Sequence, residues 1–293
     1  MNLSRVYQTG NWRKIFCIAT LLVLTMILPA CKPAKIIKLP SIQIVSLPVQ
    51  KNVKLPEKYD EIFSDLKIIL KKTVDSDSDI DIFEITRKRE NLIDQLIILK
   101  SVGPKSTPKL FKDNSQKIAY WLNVRTAWSI YFAFLESEKT KKNRTTEFCD
   151  AQIKIDCQKL SLNKIDDKLE KLGGIFAVLA APGVRSDRAA IPQKIISPEN
   201  LSAKLKDRFC KFINDPDKIV INVKNRTVEF PPVIWRYRKF IIQQYEKNYK
   251  TSEVDLTTAL APFVCGSATH KLQNAVGYRC VENKSKVKLM ISE

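Results

Sequence analysis

SQKIAYWLNVRTAWSIYFAFLE, from Ser115 to Glu136, is the stretch on which the fold turns. Ile118, Trp121, Leu122, Val124, Trp128, Ile130, Phe132 and Phe134 spread around the whole circumference of a 3.6-residue period, so a helix here has almost no polar side. Such a helix has to be enclosed, which makes it the central element. Two polar residues interrupt it, Asn123 and Arg125. Arg125 shares a face with Trp121, Trp128 and Phe132 through helical spacing, and a guanidinium in that setting must be paired or stacked. Carboxylates or carbonyls from Arg185-Ser186-Asp187-Arg188 are the expected partners. Two readings stay open: a salt bridge that pins this loop to the helix, or a pocket in which Asn123, Arg125, Arg185, Asp187 and Arg188 hold an anionic ligand.

Outward from this helix the pattern alternates between helical and strand periods. Leu66, Ile69 and Leu70 predict an amphipathic helix after Tyr59, and Leu92, Leu96 and Leu99 mark a second over Ile82 to Val102, stopped by Gly103-Pro104. Downstream, Ser197-Pro198 is placed to cap and start a helix whose stripe is Leu201, Leu205, Phe209 and Phe212, ending at Asn214-Asp215-Pro216. Ile219–Val223 and Thr227–Phe230 read as a hairpin across Lys224-Asn225-Arg226. A helix over Trp235–Tyr249 follows, and Tyr278–Val281 with Val287–Ile291 are expected to close the chain as a second hairpin. The order predicts an α+β fold, a helix-rich single domain over residues 57–293 with a small antiparallel sheet. No internal repeat is visible.

The N-terminal end has a different character. Arg5, Arg13 and Lys14 precede an apolar run from Ile15 to Leu28, too short to cross a bilayer comfortably, which needs roughly 20 residues. Leu28-Pro29-Ala30-Cys31 resembles the lipobox of bacterial lipoprotein precursors. That resemblance implies removal of residues 1–30, lipid on Cys31, and a Pro-containing tether over residues 31–56. Lys32 in place of an aspartate implies the outer membrane, facing the periplasm, in a Gram-negative host.

The formal charge is +19, of which Arg5, Arg13 and Lys14 leave with the leader. Most of the remainder is lysine spread along the chain, the pattern of a solvated basic coat rather than a concentrated nucleic-acid surface. Of seven cysteines, Cys17 lies in the leader and Cys31 takes lipid, leaving an odd five. In an oxidising compartment the expected pairs are Cys149 with Cys157 and Cys265 with Cys280, Cys210 staying reduced. The one histidine, His270, follows Cys265 closely but has no orienting third group in sight. Zinc motifs, phosphate-cradling glycine spacings and a nucleophile elbow are all missing from the sequence, so no metal or cofactor is implied.

Three landmarks bring the chain near a known family. Tyr120-Trp121-Leu122-Asn123, then Ser197-Pro198-Glu199-Asn200-Leu201 running on to Phe212-Ile213-Asn214-Asp215-Pro216, then Trp235-Arg236-Tyr237-Arg238-Lys239-Phe240, resemble in order the landmarks of the domain-of-unknown-function 547 family, across about Ser115 to Lys288. That family carries a segment similar to His-Phe-Ala-Leu-Asn-Cys-Gly-Ala between the first two. Here Ile175-Phe176-Ala177-Val178-Leu179-Ala180-Ala181-Pro182-Gly183 stands in its place, so Ile175, Leu179 and Ala180 replace the histidine, asparagine and cysteine. The resemblance implies a site without its thiol, and residues 175–179 are expected to form a buried apolar strand.

Together these features point to a membrane-anchored cell-envelope lipoprotein whose domain binds a partner or ligand without catalysis. An envelope hydrolase or transferase acting on peptide or glycan is the alternative, and a basic surface binding anionic polymer a further one. The expected partners are the membrane through lipid, and an anionic envelope polymer or another envelope protein. An exported address leaves nucleic acid out.

Overall fold

The structure, a computed structural model, describes Val45, Leu47 and residues 53–74, 79–264, 267–283 and 287–292, with the backbone alone for residues 267–270. The leader, Cys31 and most of the expected tether lie outside the described residues, as do Cys265 and the side chain of His270. Among the described residues no helix is long and apolar enough to cross a membrane.

The helices are α1 (Ser64–Thr73), α2 (Ile82–Arg87), α3 (Arg89–Ser101), α4 (Asn114–Ser137), α5 (Leu162–Leu179), α6 (Leu201–Asn214), α7 (Pro232–Tyr249), α8 (Leu256–Leu260) and α9 (Ser267–Asn274). The strands are β1 (Ile80–Asp81), β2 (Ile153–Ile155), β3 (Gln158–Leu160), β4 (Val220–Asn222), β5 (Thr227–Phe230), β6 (Arg279–Glu282) and β7 (Ile291–Ser292). The fold is α+β and helix-rich, with sheets of two or three strands.

Helix α4 is the core. Asp113 caps it by accepting from Gln116 N at 2.8 Å, and every residue from Ile118 to Phe134 is buried. Helices α2, α3 and α5 pack around it. Buried Gln95 ties α1 to α3: its Oε1 accepts from Leu66 N and its Nε2 donates to the Ile62 carbonyl, each at 2.9 Å. The expected helix over Ile82 to Val102 breaks at Lys88 into α2 and α3.

Three expectations are corrected. Residues 175–179 are not a strand but the end of α5, set off by a break at Gly174 (φ 62°), where glycine takes the left-handed backbone without a Cβ clash. Their apolar run is too short for periodicity to separate a strand from a buried helical turn. Phe176 seats this turn edge-on against Phe209 of α6 at 4.9 Å. Ala180 is fully buried.

The second correction concerns α6, which starts at Leu201 after Asn200 in the left-handed conformation (φ 53°), not at Ser197-Pro198. The third concerns the sheet. Strand β5 pairs antiparallel with β4, as expected, but parallel with β6, and β7 pairs parallel with β1 instead of folding back on β6. A parallel neighbour needs a crossover, and α7 to α9 supply it between β5 and β6. The small sheet is therefore mixed, not antiparallel.

Part of the expected tether over residues 31–56 touches the domain: Val45, Leu47 and Val53 pack on the core, and Val45 N donates to Gln152 O at 3.0 Å.

Candidate functional site: a buried arginine cluster

Asp166 organises the site. It lies on the apolar stripe of α5 with Leu162, Ile165 and Leu169, is fully buried, and faces α4. Its Oδ1 accepts from Arg125 Nε at 2.7 Å. Its Oδ2 meets Arg188 Nη2 as an ion pair at 2.8 Å, out of hydrogen-bonding alignment. Arg125 also donates from Nη1 to the Pro182 carbonyl. Arg125 and Arg188 are 1% and 5% exposed, so Asp166 carries two charges almost out of water.

Burial drives the Arg125 guanidinium below its ordinary pKa, and Asp166 only partly opposes this. Burial acts the same way on Arg188, but Asp166 and Asp187 outweigh it and the net direction is upward.

The loop from Ala180 to Ile191 carries the other members. Gly183 N donates to Ala189 O at 3.0 Å and Arg188 N to Arg185 O at 3.0 Å, folding the loop on itself. Residues 287–292 strap it down: Met290 N donates to Val184 O at 2.8 Å and Ser186 N to Lys288 O at 2.9 Å. A side chain at Gly183 would put its Cβ 2.8 Å from Arg125 Nη1 and 3.0 Å from Arg188 Cγ, so only glycine lets the loop close on both arginines. Within the loop Arg185 forks onto Asp187 at 2.8 and 2.9 Å, and its Nη1 donates to Thr146 O at 3.0 Å and to Cys149 Sγ at 3.2 Å. Burial pushes the Asp187 carboxyl up, but Arg188, Arg185 and Arg125 together hold it below the usual carboxylate range.

Two cavities flank this loop. One, about 350 Å³, is lined by Arg188, Arg208, Lys211 and Lys218 against the single carboxylate of Asp215, with Phe212 and Met290 also in its wall. Arg208 spans the loop ends, donating to Ala180 O at 3.1 Å and Ala190 O at 2.7 Å. The other, about 250 Å³, is of mixed charge: Arg185, Arg188 and Arg236 line it with Glu147, Asp150, Asp187 and Glu282, beside Cys149. Arg188 borders both, and its Nε and Nη1 meet no hydrogen-bond partner.

The structure thus brings Arg125, Arg185, Asp187 and Arg188 together, and places Asn123 elsewhere. Asn123 is buried with its amide closed on Ile196, accepting from N and donating to O at 2.8 Å each, a clamp on the backbone before α6. The carboxylate of Arg125 comes from α5, not from the Arg185–Arg188 turn. Asp166 escaped the sequence reading, though a carboxylate on the stripe Leu162, Ile165, Leu169 was a signal for it. Arg208 escaped it as well, with nothing to mark it among the lysines of α6.

The expected Cys149–Cys157 bridge is absent: both are free thiols. Asp156 and Cys157 form the turn between β2 and β3 with positive φ, and Cys157 is held to the end of α3 by its N–H on Lys100 O at 2.9 Å. Cys149 is held elsewhere, by Asn163 N on its carbonyl at 3.1 Å and by Arg185. Cys280 lies 3.4 Å from Thr257 Oγ1, and its expected partner Cys265 is outside the described residues.

Among the described residues no group of three or more His, Cys, Asp or Glu side chains is placed to hold a metal ion. Compared with known proteins, the chain matches no family model, no curated protein and no solved structure.

Proposed function

We propose that this chain is a lipid-anchored cell-envelope protein whose domain binds a small anion in the basic cavity beside the Ala180–Ile191 loop, without catalysis. The observation that carries the binding reading is a cavity lined by Arg188, Arg208, Lys211 and Lys218 with Asp215 as its one carboxylate, where Arg188, 5% exposed, has two donor nitrogens without a hydrogen-bond partner. Buried donors left without acceptors are costly, and an incoming carboxylate or phosphate would supply them. The sequence Leu28-Pro29-Ala30-Cys31 supports the anchor. The ordered resemblance to the domain-of-unknown-function 547 family, with Ile175, Leu179 and Ala180 in place of its polar residues, supports a binding role over a thiol-based one.

Calorimetric titration of the full-length protein in detergent micelles with inorganic phosphate and with citrate tests the reading. Saturable binding of one of them is expected, weakened about tenfold or more in Arg208→Gln, the loss of one charge-assisted hydrogen bond. No saturable binding by the folded wild-type protein overturns it. In the same preparation Cys31→Ser should leave the detergent phase for the aqueous one; equal partitioning of the two proteins overturns the anchor.

A further inference from the structure

Helix α6 brings Arg208, Lys211, Phe212 and Asp215 to one side through helical spacing, and all four line the 350 Å³ cavity. The cations of this wall are not alike. Lys211 pairs with Asp207 at 2.9 Å, Lys218 with Asp215 at 3.3 Å and Arg185 with Asp187 at 2.8 Å, while Arg188 has Asp166, which it shares with Arg125. Among the described residues no carboxylate lies within ion-pair distance of Arg208. Its Nε and Nη2 are spent on the carbonyls of Ala180 and Ala190, and its Nη1 makes no hydrogen bond. Burial draws this guanidinium below its ordinary value, to about 10, and Asp207 opposes the shift only in part. Two carbonyls orient a guanidinium without neutralising it.

The rest of the wall is apolar, with Ala189, Ala190, Phe212 and Met290 beside Gly183. The volume corresponds to on the order of ten waters, more than the tetrahedron of an inorganic phosphate fills. It falls in the range of sites for organic molecules, which begins at about 300 Å³.

We propose, resting on the anion-binding reading above, that the ligand of this cavity is an organic carboxylate with an apolar body, its head group on Arg208 and its body against Ala189, Ala190, Phe212 and Met290. One guanidinium with one open nitrogen fits a head group of single charge. A phosphate ester brings a second charge, and the other cations of the wall already have carboxylates. The apolar body adds affinity that an inorganic anion lacks, about fourfold for each methylene removed from water.

Titration of the full-length protein in micelles with acetate, hexanoate and inorganic phosphate, with protein-free micelles as the blank, tests this. Hexanoate is expected to bind about a hundredfold more tightly than acetate, and more tightly than phosphate. Equal affinities for acetate and hexanoate, or tighter binding of phosphate than of hexanoate, overturn the proposal. Two variants locate the parts of the ligand. Arg208→Gln should weaken acetate and hexanoate alike, about tenfold, by removing the head-group contact. Met290→Ala should shrink the hexanoate-to-acetate ratio about tenfold by removing part of the apolar wall. A wild-type ratio in Met290→Ala, or hexanoate binding undiminished in Arg208→Gln, overturns the proposal; if either variant does not fold, the ligand series on the wild-type protein decides. N-acetylleucine separates two sources of the same chemistry, both of which support the proposal: binding tighter than hexanoate assigns the carboxylate to a peptide C-terminus, weaker binding to a free acid. Phosphate binding without a preference for hexanoate over acetate removes this proposal and leaves the anion-binding reading standing. Absence of binding by phosphate, citrate and every carboxylate removes both.

Discussion

Arg125 and Arg188 hang on the same carboxylate, the first from helix α4 and the second from the loop that follows α5. Arg125 spends Nε on Asp166 and Nη1 on the Pro182 carbonyl, whereas Arg188 spends Nη2 on Asp166 and leaves Nε and Nη1 unmatched. The difference follows from what holds each element. Helix α4 is buried by its own apolar side chains, so its one guanidinium had to be satisfied from within the fold. The loop is held by backbone bonds to residues 287–292 and borders two cavities, so the fold does not close an acceptor onto every donor it carries. The first arginine is an internal tie; the second is a tie with spare capacity.

The largest test of that comparison is Arg125→Ala. It strands Asp166 with a misaligned partner and removes the donor to Pro182, and a broken buried pair costs about 3–5 kcal/mol. Denaturant unfolding should show this loss, and a variant within experimental error of wild type would mean that α4 and the loop are not coupled through Asp166. Next comes Gly183→Ala, which forces a methyl against the Arg125 guanidinium and the aliphatic stem of Arg188. Overpacking of this kind costs about 1–3 kcal/mol, and phosphate affinity should fall with it because Arg188 must shift. Unchanged stability with weakened binding would instead place the whole effect on the loop.

The smallest effect concerns acid. The Asp187 carboxyl is held below its ordinary value, so it contributes stability that is present above the unfolded value of about 3.9 and is lost as pH falls through the folded value. Thermal unfolding followed from neutral pH into the acid range should show a steeper fall in wild type than in Asp187→Asn. Parallel curves would remove Asp187 from the working part of the loop.

The two halves of this site were unequally visible before the structure. Arg125 could be singled out because a charge inside an all-round apolar helix has few outcomes, and its need for a partner follows from desolvation alone. Which partner it takes does not follow. Asp187, two residues from Arg185, looked the natural candidate, but it is closed on Arg185 by a short-range fork, and Asp166 reaches Arg125 only because α5 packs on α4. Asn123 was visible for the same reason as Arg125 and turned out to hold the backbone at Ile196. A polar residue on a buried face announces that it has a partner, not whether that partner belongs to the protein.

What the amino-acid order determined by itself is therefore local: the buried helix at Ser115–Glu136, the stripe of α6, and the hairpin of β4 and β5, each written in a period that its own residues repeat. The parallel pairing of β5 with β6, the helical state of residues 175–179 and the meeting of Asp166 with two arginines belong to the tertiary structure. Each depends on partners far apart in the chain, Val228 with Cys280, Phe176 with Phe209, Arg125 with Asp166 and Arg188. Contacts of that range are chosen by which apolar faces bury one another, and no local period carries that information.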